Sequence, residues 1–159
     1  MGEDTYYRNM KNTRWLKLVL SFFILITIFA CQKPVVPDIQ DSSLIENGYY
    51  TSKEDVSLYI KTYHRLPDNY ITKDEARNLG WDSDKGNLWE VTDKMSIGGD
   101  RFSNREGLLP KSKYIIYYEC DIDYEGGYRN AKRIVYSNQW AIYYTGDHYD
   151  SFELLYEGD

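Results

Sequence analysis

Histidine and cysteine are scarce, with two of each among 159 residues. His64 and His148 stand far apart, and neither has a cysteine or second histidine at ligand spacing, so no zinc-type site is written into the chain. Cys31 and Cys120 allow at most one bridge, which excludes a disulfide-stapled scaffold and leaves the fold to be held by its core. Long apolar runs are missing too: Leu18 to Ala30 falls short of the ~20 residues that a membrane-spanning helix needs. Positive charge is in deficit. The chain carries −6, and from Cys31 onward 15 lysines and arginines face 23 acidic residues, a balance of −8. That balance opposes bulk attraction to a polyanion, so a nucleic-acid function must rest on a local basic cluster. No internal repeat or low-complexity tract is present.

Aromatic residues are abundant, at 16% with 17 tyrosines, the mark of a globular domain with an aromatic-rich core. The N-terminus reads differently. Arg8, Lys11, Arg14 and Lys17 precede the apolar run, as in an export signal. Ile28-Phe29-Ala30-Cys31 resembles a bacterial lipobox, in which cleavage before the cysteine leaves a thiol that receives a lipid. An uncleaved anchor and an ordinary secretory signal are the alternatives, and all three readings predict an extracellular or cell-envelope domain. Residues 1–31 are therefore assigned to the signal segment ending at Cys31, 32–46 to a tether containing Pro34 and Pro37, and 47–159 to one domain.

Thr51-Ser52-Lys53-Glu54 has the form of a capping box, with Val56, Tyr59, Ile60 and Tyr63 following at helical spacing to an end near His64. Thr72-Lys73-Asp74-Glu75 repeats the signature and Gly80 supplies a stop, so a second short helix carries Lys73 in its first turn. A third helical piece is expected over Leu88 to Val91. From Ser96 the pattern turns to strands, with Tyr114 to Tyr124, Arg133 to Ser137, Trp140 to Thr145 and Phe152 to Leu155, and a tight turn at Asn138-Gln139. The expected class is α+β, about three N-terminal helices packed on a C-terminal antiparallel sheet.

Alternation puts Tyr117, Glu119 and Asp121 on one face of their strand and Tyr118, Cys120 and Ile122 on the other, the expected core face. Arg129, Lys132 and Arg133 follow and should lie beside the acids through a hairpin. Such a cluster reads either as salt bridges on a wet sheet face or as a site. His148, in Asp147-His148-Tyr149, reads as a solvated residue or as a proton-transfer group, since its titration range suits chemistry near neutral pH.

One resemblance bears on that choice. Thr62-Tyr63-His64-Arg65-Leu66-Pro67-Asp68-Asn69-Tyr70-Ile71-Thr72-Lys73, Gly80-Trp81, Lys85-Gly86-Asn87-Leu88, Ser96-Ile97-Gly98-Gly99-Asp100, Phe102-Ser103-Asn104-Arg105-Glu106-Gly107 and Asp147-His148-Tyr149 closely resemble the barnase-like family of extracellular guanyl-preferring bacterial ribonucleases. The motifs occur in order over roughly Val56 to Leu155. The resemblance implies the microbial ribonuclease fold and cleavage of single-stranded RNA 3′ of guanosine, without metal or cofactor, through a 2′,3′-cyclic phosphate that water then opens.

It also implies roles. Glu119 matches the general base and His148 the general acid, while Lys73, Arg129 and Arg133 match the cations that hold the phosphate and its transition state. Asp121 matches an orienting partner for the two arginines, and Tyr149 a contact to substrate near His148. Phe102, Ser103, Asn104, Arg105 and Glu106 match the guanine loop. There a carboxylate accepts the adjacent N1–H and N2–H donors that adenine lacks. His64 matches a helix-terminal histidine with a structural task. Expected partners are RNA, an acidic intracellular inhibitor like barstar, and a membrane only through a lipid on Cys31, with the protein itself a monomer. The competing reading is a surface-anchored RNA- or protein-binding domain on the same fold that has lost catalysis.

Overall fold

A computed structural model describes residues 44–159. The export signal, the lipobox-like segment and most of the tether lie outside the described residues. Helix α1 spans Lys53–Tyr63; Ser52 caps it by accepting the Asp55 amide, and Val56, Tyr59 and Ile60 turn inward from it. It ends at His64, which takes a left-handed conformation with φ of 54° and donates its backbone N–H to the Ile60 carbonyl. Strand β1 (Tyr70–Ile71) follows. Helix α2 (Lys73–Asn78) opens with the complete capping box expected of Thr72 and Glu75. Helix α3 covers Leu88–Val91, as its short apolar signal predicts.

The strands are β2 (Ser96–Phe102), β3 (Tyr117–Asp121), β4 (Arg133–Ser137), β5 (Ile142–Thr145) and β6 (Glu153–Tyr156). They form one six-stranded sheet in sequence order, β1 parallel to β2 and every later pair antiparallel. The fold is α+β, as expected. From β2 onward each antiparallel connection lays a strand beside its predecessor, while parallel β1 reaches β2 through the connection that carries α2 and α3.

Three strand assignments differ from the sequence reading. β1 is too short to show alternation, and it exists because Tyr70 and Ile71 pair with Ser96 and Ile97. Tyr114 to Ile116 and Ile122 to Tyr124 fall outside β3, which spans only Tyr117–Asp121. Trp140 belongs to the β4–β5 turn: its φ is 63°, and the Ser137 hydroxyl accepts the amides of Gln139 and Ala141, which makes the turn longer than Asn138-Gln139. Trp140 instead lies half-buried against the main core and stacks on the His64 ring, centroids 4.4 Å apart.

One apolar cluster joins Val56 and Ile60 of α1 to Cys120, Ile122, Ile134 and Ile142. A second lies around α2 and α3, from Ala76, Trp81, Leu88, Ile97 and Tyr124. The third is on the opposite sheet face, where Leu109, Tyr117 and Val135 gather Phe102, Tyr143, Tyr149 and Phe152. This last cluster corrects an expectation. The face carrying Glu119 and Asp121 is not an open, wet face, since Glu119 is 6% and Asp121 1% exposed. Both faces of β3 are buried, and the two acids are covered by cations and aromatics.

A bulge between Gly98 and Asp100 shapes the sheet beside α2. Gly98 is required by close approach: a Cβ there would lie 2.7 Å from both Cys120 Cβ and Tyr70 Cδ1. Gly98→Ala should lower stability by about 1–3 kcal/mol through overpacking, read as a lower urea midpoint at unchanged slope. Beyond the bulge, Asp100 Oδ2 accepts the Lys73 backbone N–H at 3.0 Å and ties the start of α2 to β2.

Candidate active site

That tie aims Lys73 across the sheet. Its Nζ lies 2.5 Å from Glu119 Oε1 on β3. The other carboxylate oxygen, Oε2, accepts the Tyr149 hydroxyl at 2.5 Å. Burial alone pushes the Glu119 carboxyl up, but the hydrogen bonds from Lys73 and Tyr149, with the charges of Lys73 and Arg129, hold it below the usual glutamate range. Glu119 is therefore an ionised, cation-flanked carboxylate with lone pairs left to accept a further proton donor. Tyr149 is the complement: burial first, and its bond to Glu119 second, raise its phenol strongly, so it stays a neutral donor.

Two residues along β3, Asp121 holds both expected arginines. Arg129 grips it with two bonds, Nε to Oδ2 at 2.7 Å and Nη2 to Oδ1 at 2.6 Å. Arg133, on β4, is 2% exposed and brings Nε within 2.9 Å of Asp121 Oδ1, although this N–H is not aligned as a hydrogen bond. Its Nη1 donates to the Lys132 carbonyl at 2.6 Å and to Asn130 Oδ1 at 3.3 Å. Asp121 thus lies within contact of both arginines. Lys73, Glu119, Arg129, Arg133 and Tyr149 form one cluster.

His148 arrives from the β5–β6 loop, whose shape is set by Asp147. Asp147 Oδ1 accepts the Thr145 hydroxyl at 2.8 Å and the Ser151 amide at 3.0 Å, and Oδ2 accepts the Ser151 hydroxyl. The Ser151 and Thr145 hydroxyls hold its carboxyl down at about 2. Between these anchors His148 and Tyr149 both take positive φ, 58° and 79°. Consecutive left-handed non-glycine residues are strained, and such strain collects where side-chain placement is functionally constrained. The result is an exposed His148 ring 4.8 Å from the Tyr149 ring. Glu119 and His148 thus flank Tyr149 without touching. Asp147 is the residue whose part sequence reading missed; Thr-x-Asp-x-x-x-Ser around it was the available signal.

The expected guanine loop follows β2. Phe102 stacks on Tyr149 with centroids 5.1 Å apart and so joins this loop to the His148 loop. Ser103, Arg105 and Glu106 are exposed. Asn104 is not: it is 6% exposed with φ of 42°, and its carboxamide bonds both the carbonyl (2.9 Å) and the amide (3.1 Å) of Leu109. Its side chain is thus spent on holding the loop, while Glu106 is free to meet a ligand. Among the described residues, no three His, Cys, Asp or Glu side chains gather as a metal-binding group.

The ribonuclease family model matches residues 53–156. A ribonuclease of Heyndrickxia coagulans is 56% identical over 100 residues, covering 63% of this chain and 92% of that protein. A ribonuclease of Bacillus intermedius is also 56% identical over 100 residues, but these make up only 62% of its length. Guanyl-specific ribonuclease Sa3 of Kitasatospora aureofaciens is 47% identical over 62 residues, covering 38% of this chain and 44% of that protein. The chain belongs to the barnase-like family of bacterial ribonucleases, enzymes that hydrolyse RNA.

Proposed function

We propose that this protein is an extracytoplasmic endoribonuclease that cuts single-stranded RNA on the 3′ side of guanosine, without metal, in two steps. In the first, Glu119 takes the proton of the guanosine 2′-hydroxyl as its oxygen attacks the adjacent phosphorus. The bond to the departing 5′-oxygen breaks, and His148 supplies that oxygen with its proton, leaving a 2′,3′-cyclic phosphate. In the second step the roles reverse: His148 takes a proton from water and Glu119 returns one to the 2′-oxygen. Lys73, Arg129 and Arg133 balance the charge on the crowded phosphorus, the arginine forks matching pairs of phosphate oxygens. Tyr149, which lies between the two proton-transfer groups, keeps Glu119 in place.

Guanine is read by the loop from Phe102 to Glu106. The Glu106 carboxylate accepts N1–H and N2–H together, and loop amides serve O6 in a frame fixed by Asn104. Adenine would leave Glu106 desolvated and unpaired.

The observation that carries this reading is the ionised Glu119 held between Lys73 and Tyr149 beside two arginines that share Asp121. It is tested with GpA and chelator, following the cyclic product. The wild type should release cyclic guanosine phosphate, with kcat/KM bell-shaped in pH. The Glu119 carboxyl is held below its ordinary value in the folded protein, so its ionised form persists as pH falls through the ordinary glutamate value of ~4.3. The stability it contributes, complete above that value, is lost between there and the lower folded value. The acid limb should therefore lie below the ordinary value. Glu119→Ala should lower kcat/KM roughly 10²–10⁴-fold and abolish the limb. A wild type that releases no product, or a Glu119→Ala variant of unchanged rate, would overturn the assignment.

A further inference from the structure

Charge in the described domain is unevenly paired. The lysines and arginines outside any ion pair are Lys61, Lys94, Arg101, Arg105, Lys111 and Lys113, and four of these six fall between Arg101 and Lys113. Glu106 is the one carboxylate in that stretch, within a chain of net charge −6. Three of the four cations, Arg101, Lys111 and Lys113, line one open cleft of about 660 Å³ together with the hydroxyl residues Ser103 and Ser112 and the apolar Ile115 and Ile116. No carboxylate lines it. Its wall is fixed, since the Tyr117 hydroxyl donates to the Pro110 carbonyl at 2.9 Å. Cations, hydroxyls and an apolar surface in one concavity suit a nucleotide: its phosphate against the first two, its base against the third.

The cleft also has a defined place in the strand path. It shares Phe102, Ser103 and Asn104 with the loop assigned to guanine, and it lies at the hairpin end of β2 and β3, where Phe102 pairs with Tyr117. Glu119 is two residues further along β3, about 7 Å away from that end. For a guanosine with its base on the loop and its 3′-phosphate at Glu119, the cleft lies on the loop side of the site, away from Glu119. We propose that this cleft is a second RNA subsite, which holds the nucleotide and phosphodiester immediately 5′ of guanosine through Arg101, Lys111 and Lys113. The proposal rests on the guanine-directed reading above. It gives an acidic protein a local means of attracting a polyanion.

The test is equilibrium binding, because 2′-deoxy ligands lack the nucleophile and are not consumed. The dinucleotide d(GA), the 5′-extended d(CCGA) and the 3′-extended d(GACC) are titrated against wild type and the triple variant Arg101→Gln, Lys111→Gln, Lys113→Gln. All three side chains are exposed, and a matched melting curve checks the fold. The wild type should bind d(CCGA) at least tenfold more tightly than d(GA). The variant should lose most of that gain, hold d(GA) within twofold, and show a shallower log–log salt slope, by about 0.7 for each phosphate no longer neutralised. Equal loss for d(GA) and d(CCGA), no loss for d(CCGA), or a gain carried by d(GACC) instead would overturn the subsite. Failure of the wild type to cleave GpA would sink the function above, while the binding series still reports on the cleft.

Discussion

Replacing His148 by glycine should slow RNA cleavage by roughly 10²-fold or more and leave the protein no less stable. His148 is an exposed residue at φ of 58°, and its ring makes no hydrogen bond among the described residues. Left-handed backbone costs a non-glycine residue about 1 kcal/mol, and glycine removes that cost while adding some freedom to the unfolded chain. His148→Ala keeps the strain and serves as the control. Both variants lose the proton donor for the 5′-oxygen, so kcat should fall roughly 10²–10⁴-fold in each. Their urea midpoints should differ, with glycine the more stable by up to about 1 kcal/mol. Either variant retaining a tenth of wild-type kcat would remove His148 from the chemistry. An alanine variant as stable as the glycine variant would remove strain from the account.

That pairing of strain with function explains which parts of this chain are readable from sequence. Ser52, Thr72, Glu75 and Gly80 act on backbone a few residues away, so helix positions follow from local spacing. The positions of β4 and α3 follow equally well. β1 does not, because its two residues are held by partners 26 residues on. Trp140 reads as strand by composition, yet the Ser137 hydroxyl and a positive φ hold it in a turn against His64. The resemblance names the residues that gather around Glu119, but their burial is not legible in the sequence. Alternation separates the faces of β3 correctly and says nothing about whether a charged face is covered, which depends on Leu109, Tyr143 and Phe152 arriving from distant segments. Tyr149, expected beside substrate, is engaged with Glu119, and Asn104, expected in the guanine loop, braces that loop from within.

Asp121→Ala should have the largest effect on stability. The carboxylate is 1% exposed and faces two arginines, one of them 2% exposed, so its removal leaves positive charge desolvated and uncompensated. Breaking a buried ion pair from one side costs about 3–5 kcal/mol, a large share of the roughly 5–15 kcal/mol that holds a domain together. Tyr70 contributes a second strut, since its hydroxyl donates to the Asp121 backbone carbonyl at 2.8 Å, and this bond survives the substitution. The damage should thus centre on the arginines, and β3 should stay paired with β4. An anion offers a specific check. The vacated position lies between Arg129 and Arg133, the cations assigned to the RNA phosphate, so inorganic phosphate should stabilise Asp121→Ala more than it stabilises wild type, with the midpoint rising as phosphate is added at constant ionic strength. Equal phosphate stabilisation of the two proteins would mean that Asp121 does not set the charge felt by an anion at this site. A loss below about 1 kcal/mol would mean that the arginines find other partners when it is gone.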